Sequence, residues 1–567
     1  MKLTKTILSG LLLSFFFFGN GLSQCDNSAI EYINANKVRA SVLNDGSFFL
    51  NSNGGSFMVP FTLGDYPTTS TIWAGALWLG GIDETGGYKI SRTDFQYVDY
   101  TSGPIDDNTL NIFDDGCKHF DRIWKIKRED ILGLKEDFED NGTINEPVPY
   151  SIKIWPAKGN PFFEEAMGFP LPDQELAPFF DRNNNGLFEP QSGEYPLINP
   201  TMPNAIPNEM TWSVFNNTAN TENGFSEIAT GTEVHFMTYA FNCSENNPLN
   251  YTVFTRHKII NKSGGDLSEF KIGIWLDPDL GCYADDYFGC DTTLNAQYIY
   301  NSDNDDNDLL CAGIGTYGEN PPVQAITFLN KKLSNFGYYN NAGINNPPPG
   351  TWGPTDVIGF YNYLSGKWRD DSRISYGGSG YGQPGDFVNH VFPDSPSDPN
   401  GWNMVNEQLS QYDRRTIMSA GLPNFPAGAE AILDAAFSYH REPGSDHIEN
   451  VDVALSEIPM IQAFYDNGFS NECMQVVKTK ERVNLDLSLD ISPNPNHGAF
   501  NLFFEKTNTT SHIRIFDFSG KIISQNEIPA GASQYHVDLK NKLSAGIYFL
   551  KWILANGQFA TKKVVVK

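Results

Sequence analysis

The last region of the chain opens with Ile491-Ser492-Pro493-Asn494-Pro495-Asn496-His497-Gly498, and its fold can be worked out from this run. The two prolines fix φ and Gly498 permits a positive φ, so the run is a rigid, turn-rich entry. Short apolar alternations follow, clearest in Ile513-Arg514-Ile515-Phe516-Asp517-Phe518, and Ser519-Gly520-Lys521 then turns the chain. Short strands separated by turn signals predict a small antiparallel sandwich.

Four motifs in this region occur in a fixed order. They are Pro493-Asn494-Pro495 with Gly498, the run 516–521 with Asp517 and Gly520, the run 543–549 with Gly546 and Tyr548, and a terminal Lys-Val-Val-Val-Lys beginning at Lys563. Together they resemble the type A C-terminal sorting domain of type IX secretion, over residues 490–567. The alternative is an ordinary C-terminal immunoglobulin-like module. The resemblance implies an immunoglobulin-like sandwich and export through the outer membrane of a Bacteroidetes-type bacterium. It also implies two partners, the secretion machinery and a surface peptidase that removes the domain.

The N-terminus has the architecture of a signal peptide. A basic segment, residues 1–5, precedes an apolar run from Ile7 to Phe18 that is too short to span a bilayer permanently. Small residues at Gly21 and Ser23 predict a signal peptide at 1–23, cleaved after Ser23. Cys25 raises a lipoprotein alternative, but Gln24 stands where a lipobox has a small residue, so simple secretion is favoured. No transmembrane helix is expected in the mature chain.

The charge of the chain is strongly negative and unevenly placed. The net charge is −29; residues 490–567 hold nine Lys/Arg and five Asp/Glu, a balance of +4, which leaves −33 on residues 1–489. This balance argues against nucleic acid as a partner, because phosphate binding needs a basic face. It fits a solvated extracellular surface that binds cations, with polysaccharide or matrix as candidate partners.

Composition favours β structure throughout. Aromatic residues make up 13% of the chain, and Gly and Pro together number 85. We therefore expect a mainly all-β, multi-domain β-sandwich architecture. The predicted division is a β-rich region at 24–225, a β-sandwich-like region at 226–470, a linker at 471–489 and the small C-terminal immunoglobulin-like sorting domain at 490–567. Residues 24–470 are called the cargo below.

Several local structures are predicted within the cargo. Residues 71–81 alternate around small residues, as a buried strand with close neighbours does, and residues 150–155 form a further strand candidate. Residues 251–260 and 270–276, joined by a Gly-containing turn, predict an antiparallel hairpin. One helix is expected, capped by Asn450 and followed by Gly468.

Residues 181–196 contain half of a calcium-binding loop. Oxygen-bearing side chains at Asp181, Asn183 and Asn185 precede Gly186, and Leu187 would offer its backbone carbonyl. The second half departs from an EF-hand, which has Glu at loop position 12, where Ser192 stands. Glu194, two positions later, is the expected closing carboxylate. The alternative is an Asn-rich turn that binds nothing.

A second oxygen-rich loop follows the predicted hairpin. Its carboxylates lie within fifteen residues and would repel one another unless they were solvated or shared a cation: Asp277, Asp279, Asp285, Asp286 and Asp291. Hard oxygen ligands without histidine favour Ca²⁺ over zinc or copper. A further acidic run, 303–308, lies nearby. The simpler interpretation is an acidic surface loop.

The seven cysteines allow three disulfides and one free thiol after export. The sequence does not fix the pairing. Cys282 and Cys290 lie eight positions apart in the acidic loop, so a local bridge between them is the first hypothesis.

Catalytic motifs are weak. No His-Glu-x-x-His occurs, and Gly380-Tyr381-Gly382-Gln383-Pro384-Gly385 matches a dinucleotide fingerprint only formally. The cargo loosely resembles uncharacterised cargo regions of other type IX substrates, which brings no activity. The favoured function is a non-catalytic, calcium-stabilised adhesive or binding protein, secreted or on the outer cell surface. The alternative is a secreted hydrolase acting on glycans or peptides, for which Asp277 with Asp285 or Asp286 is the candidate carboxylate pair.

Overall fold

The structure is a computed structural model. It describes residues 27–51, 54–62, 69–113, 115–218, 228–243, 247–307, 311, 315–341, 347–411, 413–469, 489–504, 506–516, 522–540, 542–554 and 559–567. The predicted signal peptide, most of the predicted linker, and Asp517 and Gly520 of the sorting motif lie outside the described residues. Among the described helices, none is long and apolar enough to cross a membrane.

The chain divides into two compact units, residues 1–475 and 476–567. The described strands of the first unit are β1 Ile30–Ile33, β2 Arg39–Leu43, β3 Ser47–Phe48, β4 Leu50–Asn51, β5 Gly54–Gly55, β6 Phe57–Met58, β7 Ala74–Ile82, β8 Tyr88–Ser91, β9 Thr101–Ser102, β10 Trp124–Lys127, β11 Glu209–Asn217, β12 Thr232–Ala240, β13 Thr252–Asn261, β14 Leu267–Asp277, β15 Asp286–Asp291, β16 Ala296–Asn301, β17 Asp305–Asp306, β18 Gly318–Glu319, β19 Val323–Phe328, β20 Asn335–Asn340, β21 Arg414–Phe425 and β22 Glu430–His440. Its α-helices are α1 Gly116–Phe120, α2 Arg128–Asn141, α3 Tyr150–Lys153, α4 Phe163–Met167, α5 Val357–Leu364 and α6 His447–Asp466.

Two large antiparallel sheets dominate the first unit, and the all-β prediction is confirmed. Sheet 1 runs β1-β2-β3-β7-β14-β21-β20, with β6 and β8 at its sides. Sheet 2 runs β10-β11-β12-β13-β22-β19-β16-β15, with β9 beside β11. Each sheet contains strands from before and after residue 225, so this predicted border marks no change of sheet.

The main core lies between the two sheets. Phe48 of sheet 1 packs edge-on against Phe437 of sheet 2, with ring centroids 5.6 Å apart. The predicted buried strand at 71–81 is confirmed as β7, whose residues are buried up to Gly81. Its small residues allow a close approach, since a Cβ at Gly75 would lie 2.2 Å from the Phe48 ring. The sheets therefore pack as a sandwich over an aromatic layer.

A second core covers the other face of sheet 2. In it, Trp124, Trp212 and Met237 of this sheet pack with side chains from the helices and loops between residues 116 and 206, and the rings of Trp124 and Trp212 lie 5.6 Å apart. The strand predicted at 150–155 is wrong, because residues 150–153 form α3. Ile152 and Trp155 are both buried, and a spacing of three places them on one side of a helical turn.

The predicted hairpin is also wrong. β13 pairs with β12 and β22 in sheet 2, whereas β14 pairs with β7 and β21 in sheet 1. The chain between them crosses from one sheet to the other, and the Asn261 amide donates to Gly265 O at 3.0 Å and Phe425 O at 2.8 Å at this crossing. Two segments with alternating apolar residues, joined by a turn, are compatible with an arch that connects two sheets as well as with a hairpin within one sheet.

The predicted helix exists as α6, but its cap differs. Asp446 is the N-cap: its Oδ1 accepts from Glu449 N at 2.8 Å, and Glu449 Oε2 accepts from Asp446 N at 2.9 Å. This reciprocal pair is a capping box. Asn450 lies inside the helix, and its amide donates to Pro321 O at 2.9 Å instead.

The second unit is a small sandwich, as predicted. Its described strands are β23 Leu489–Ser492, β24 Ala499–Phe504, β25 Ser511–Phe516, β26 Ile522–Ile528, β27 Gln534–Asp538, β28 Gly546–Ile553 and β29 Phe559–Val566. They form one sheet in the order β23-β24-β27 and another in the order β26-β25-β28-β29. Trp552 is fully buried between them, and its Nε1 donates to Ser511 Oγ at 2.9 Å.

Candidate metal centre

The acidic loop at 277–291 is divided between two clusters. Asp277 ends β14 and Asp286 begins β15. One cluster joins Asp277 and Asp279 to Asp413; the other joins Asp285 to Asp306 beside the Cys282 sulfur. Within each cluster the potential ligand atoms lie within 4.8 Å of one another. We name them the β14 cluster and the β15 cluster.

A disulfide closes the β15 cluster, but it is not the predicted one. Cys282 bonds Cys311, with 5.5 Å between the two Cα atoms. Cys290 lies at the far end of the extended strand β15, roughly 13 Å along it from Asp286, and is the free thiol among the described cysteines. The Cys282–Cys290 prediction is therefore wrong. Cys117 and Cys243 are also disulfide-bonded.

The backbone wraps closely around the carboxylates of the β15 cluster. Asp306 Oδ1 accepts from Cys282 N at 2.9 Å, and Asp286 Oδ2 accepts from Leu280 N at 2.9 Å. Gly281 has φ +71°, and a Cβ there would lie 2.0 Å from Asp306 Oδ2. Only glycine fits this position without displacing the carboxylate.

Two buried carboxylate oxygens lack hydrogen-bond partners in the described part of the chain: Asp285 Oδ1 in this cluster, and Asp286 Oδ1 on the next residue. Burial raises the pKa of Asp285 to about 7, with the Asn301 side chain opposing this rise and Asp306 adding to it. Burial and the neighbouring Asp285 raise the pKa of Asp286 well above its usual range. A divalent cation in the cluster would balance the carboxylates of Asp285 and Asp306, and an oxygen ligand set suits Ca²⁺. The sulfur of Cys282 is in the disulfide and does not count as a thiolate ligand.

The β14 cluster contains an arginine. Arg415 donates to Asp277 Oδ2 at 3.1 Å and forms an ion pair with Asp413. Asp277 Oδ1 is buried without a partner among the described residues, and burial raises the pKa of Asp277 to about 7 and that of Asp279 well above its usual range. Three carboxylates and one guanidinium leave two negative charges when ionised, the charge that one divalent cation balances.

Asp291, predicted with these ligands, lies at the opposite end of β15 from Asp286. Its Oδ1 accepts from Thr293 N at 2.8 Å and Leu294 N at 3.0 Å. This bonding belongs to a turn.

Side-chain oxygens of the loop at 181–196 accept hydrogen bonds from backbone N–H groups of the same loop. Asp181 Oδ2 accepts from Gly186 N at 2.8 Å, Asn183 Oδ1 from Asn185 N at 2.9 Å, and Asn185 Oδ1 from Leu187 N at 2.8 Å. These oxygens converge on one turn, whose Gly186 has φ +76°.

Glu194 ties the two halves of this loop together. It is fully buried, and its oxygens accept from Arg182 N at 3.0 Å and Glu189 N at 2.7 Å. Glu189 was not predicted; its Oε2 accepts the amides of Asn183 at 2.8 Å and Asn185 at 2.9 Å. Its place at loop position 9, which often acts through water in EF-hands, is the signal that could have identified it.

A cleft of 390 Å³ lies beside this loop. Asp181 and Gly186 line one side, and Trp212, His235 and Met237 of sheet 2 also line it. His235 Nε2 lies 2.7 Å from Glu233 Oε1, and Lys262 Nζ lies 2.8 Å from Glu233 Oε2. Burial opposes ionisation of Glu233, but the His235 and Lys262 contacts lower its pKa overall. A charged glutamate thus holds one nitrogen of a histidine that lines the cleft.

In the second unit the sorting-motif residues meet across the domain. The Asn494 side chain donates to Lys563 O at 2.7 Å and accepts from Val565 N at 2.8 Å, so it joins the last strand between Pro493 and Pro495. Gly498 has φ +85°, and a Cβ there would lie 2.8 Å from Lys540 Cα.

Gly546 and Tyr548 also adjoin the last strand. They pair with Val566 and Val564 in β29, and Tyr548 Oη donates to Ser544 O at 3.1 Å. The described residues of the motif therefore lie where the entry run, β28 and β29 come together.

Comparison with known proteins identifies the second unit. Residues 490–567 match the family model of the secretion system C-terminal sorting domain. No curated protein sequence matches the chain.

Two solved structures align with much of the chain at very low similarity. A polysaccharide lyase aligns over 59% of this chain and 34% of its own, at 6% identity and a TM-score of 0.16, so the chain spans about a third of its length. The BSP domain of a biofilm-associated protein aligns over 68% of this chain and 67% of its own, at 10% identity and a TM-score of 0.13. Neither alignment carries an argument about the cargo.

Proposed function

Because residues 490–567 are a type IX secretion sorting domain, we propose that the cargo is a calcium-stabilised binding protein that acts outside the cell without catalysis. The sorting domain directs export to the cell surface or the medium and interacts with the secretion machinery. Removal of the domain by a surface peptidase, and adhesion to polysaccharide or matrix, belong to the same proposal.

The observation that carries the proposal is the buried Asp285 Oδ1, which has no hydrogen-bond partner among the described residues and lies in the β15 cluster with Asp306, beside a second such oxygen on the next residue, Asp286. A buried carboxylate without a partner is costly, and neighbouring carboxylates add repulsion. In the described residues no lysine or arginine forms an ion pair with Asp285 or Asp286. A bound Ca²⁺ would balance the negative charge of the carboxylates and be coordinated by the oxygens that have no hydrogen-bond partner.

Two further positions support the proposal. The β14 cluster, counted with Arg415, has a net charge of −2 when its three carboxylates are ionised. In the loop at 181–196, the side-chain oxygens of Asp181, Asn183 and Asn185 lie around one turn. Calcium at these positions would tie separate loop segments together, which is a usual role of a structural ion in an extracellular protein.

Melting of the full secreted chain with chelator and with calcium tests the proposal. Calcium at about 100 times its dissociation constant should add about 2.7 kcal/mol to the free energy of unfolding. The variant Asp285→Asn should be less stable than the wild type in calcium. In chelator the variant should be at least as stable as the wild type, because the repulsion between the Asp285 carboxylate and its acidic neighbours is removed. Asp291→Asn is the matched control and should behave like the wild type in both. Identical melting curves with and without calcium would contradict the calcium part.

A secreted hydrolase acting on glycans or peptides is the second candidate. The cleft that contains the Glu233–His235 pair favours it, because a carboxylate-held histidine is a common general base. A panel of glycan and protein substrates tests this candidate. Turnover that His235→Gln abolishes while the melting temperature survives would establish the hydrolase and overturn the non-catalytic proposal.

A further inference from the structure

A separate, smaller cleft lies beside the β14 cluster. Its volume is 220 Å³, and residues from five parts of the chain line it, among them Phe95, Asn341, Trp352, Arg369 and Arg415. A cleft of this size accommodates about one sugar-sized ring.

Two aromatic side chains are held at this cleft. Phe95 is 50% exposed, yet its ring packs edge-on against Trp275 at 5.5 Å. Trp352 is half-buried, and its Nε1 donates to Pro347 O at 2.9 Å, which fixes the indole. Exposed rings that are fixed in place are a preorganised apolar contact surface, because little side-chain entropy remains to be lost on binding.

The two arginines differ in what they already bind. Arg415 is held between Asp277 and Asp413. Arg369 donates from Nη1 to Gly353 O at 3.2 Å, and no described carboxylate forms an ion pair with it. Its guanidinium lies 5.8 Å from the centre of the Trp352 ring. On a chain with net charge −29, a half-buried guanidinium in an aromatic cleft is an anchor for an anion.

We propose that this cleft binds a hexuronic acid unit of an acidic polysaccharide. Arg369 pairs with the sugar carboxylate in a planar, two-pronged contact, and Phe95 and Trp352 pack against the apolar C–H face of the ring. Asn341 and Asp94 also line the cleft and would offer polar atoms to the sugar hydroxyl groups. This inference rests on the binding role proposed above and names its ligand.

The negative charge of the protein disfavours the most densely charged ligands. A chain at −29 repels double-stranded nucleic acid, whose charge density is higher than that of a polysaccharide with one carboxylate per ring, and a single ring of that polysaccharide presents one charge to one guanidinium. Repeated units along the polymer would add avidity at a surface that carries many copies of the protein.

Calorimetry with the full secreted chain tests the inference. The probes are a trimer of galacturonic acid and the neutral trimer of galactose. We expect the acidic trimer to bind and the neutral one to bind at least tenfold more weakly. Arg369→Ala should weaken binding of the acidic trimer at least tenfold, the scale of a lost charged hydrogen bond. Arg373→Ala is the matched control, since this arginine stacks on Phe387 at 4.7 Å and does not line the cleft.

A second pair of variants covers the case in which Arg369→Ala unfolds the protein. Phe95→Ala should weaken binding, whereas Phe387→Ala, which removes a 61% exposed ring outside the cleft, should not. Equal affinity for both trimers, or unchanged binding by folded Arg369→Ala, would overturn the inference. Equal binding of a sulfated galactose trimer would overturn the assignment to a carboxylate. Each of these failures leaves the calcium-dependent melting untouched, so it is distinguishable from failure of the proposed function.

Discussion

At the scale of single residues, His257 is the clearest case of a titratable group placed in an apolar core. Its ring stacks on Phe236 at 4.6 Å and lies 6.0 Å from Phe48. Its Nδ1 has no hydrogen-bond partner in the described part of the chain, and burial lowers its pKa to about 3. The folded protein therefore keeps this imidazole neutral.

His257 should make the cargo acid-sensitive. The unfolded chain protonates this histidine near pH 6.5 and the folded chain only near 3, so the contribution of His257 to stability falls as pH drops through this window. Between pH 7 and pH 5 this contribution falls by about 2 kcal/mol, while the raised pKa values of Asp277 and Asp285 act in the opposite direction. His257→Phe removes this titration and keeps an aromatic ring, so its stability should fall less over the same range. Denaturant unfolding at pH 7 and pH 5 measures the difference, and parallel losses for variant and wild type would contradict it.

The candidate ligands show what can be predicted from single residues. The oxygen spacing at 181–187 and the density of aspartates at 277–291 are visible in the sequence, and Asp306 lies in a run that is itself acidic. Asp413 has no such signal, because it reaches Asp277 only through the pairing of β14 with β21. Division of the loop into two clusters also depends on where β15 begins, which local composition does not determine.

At the scale of elements, the Cys282–Cys311 bond closes a loop of 29 residues around the β15 cluster. Loop-closure entropy gives such a bond about 3–4 kcal/mol. The double variant Cys282→Ser with Cys311→Ser should lose this amount in denaturant unfolding, and a reductant should not destabilise it further at this loop. Calcium binding at the β15 cluster should weaken in the same variant. Unchanged stability would show that the loop is held by other contacts.

The arch between β13 and β14 shows why pairing is harder to predict than strands. Both strands were recognised from their alternation, yet each lies between neighbours far away in the sequence. The five-residue connection, 262–266, is long enough either to close a hairpin or to cross the roughly 10 Å between two packed sheets. Local sequence does not decide between these, because the outcome depends on which face the rest of the chain covers.

Asn494 should stabilise the sorting domain through the last strand. Its side chain makes two hydrogen bonds there, at 2.7 and 2.8 Å. Asn494→Ala should destabilise the domain by about 1–3 kcal/mol and reduce export, since carbonyl and amide groups of β29 lose their partner. Asn508→Ala, on an exposed turn, is the matched control. Export and surface display are measured by protease accessibility on intact cells; equal display of the two variants would contradict a role for this contact.

At the scale of the whole molecule, export depends on the second unit. A chain truncated before residue 490 should remain in the periplasm, because it lacks the domain that the secretion machinery binds. Fractionation with a periplasmic marker measures this outcome, and the full chain with Asn508→Ala is the control. Normal surface display of the truncated chain would contradict it.

The sheets of the cargo also combine distant parts of the chain. β7, β14 and β21 lie side by side in sheet 1, although they span residues 74–425. Composition and alternation were enough to predict an all-β chain and the closing sandwich. They could not show that the regions before and after residue 225 share both sheets, because that follows from long-range pairing.

The contact between the entry run and β29 makes closure of the sorting domain depend on residues 563–567. Asn494 and Asn496 bond to backbone groups of residues 563–567, and Lys567 N donates to Asn496 O at 2.9 Å. A truncation or a proteolytic cut before residue 563 removes these partners. We expect such products to lack a closed domain and to be retained in the periplasm. Export would then select against chains damaged within β29.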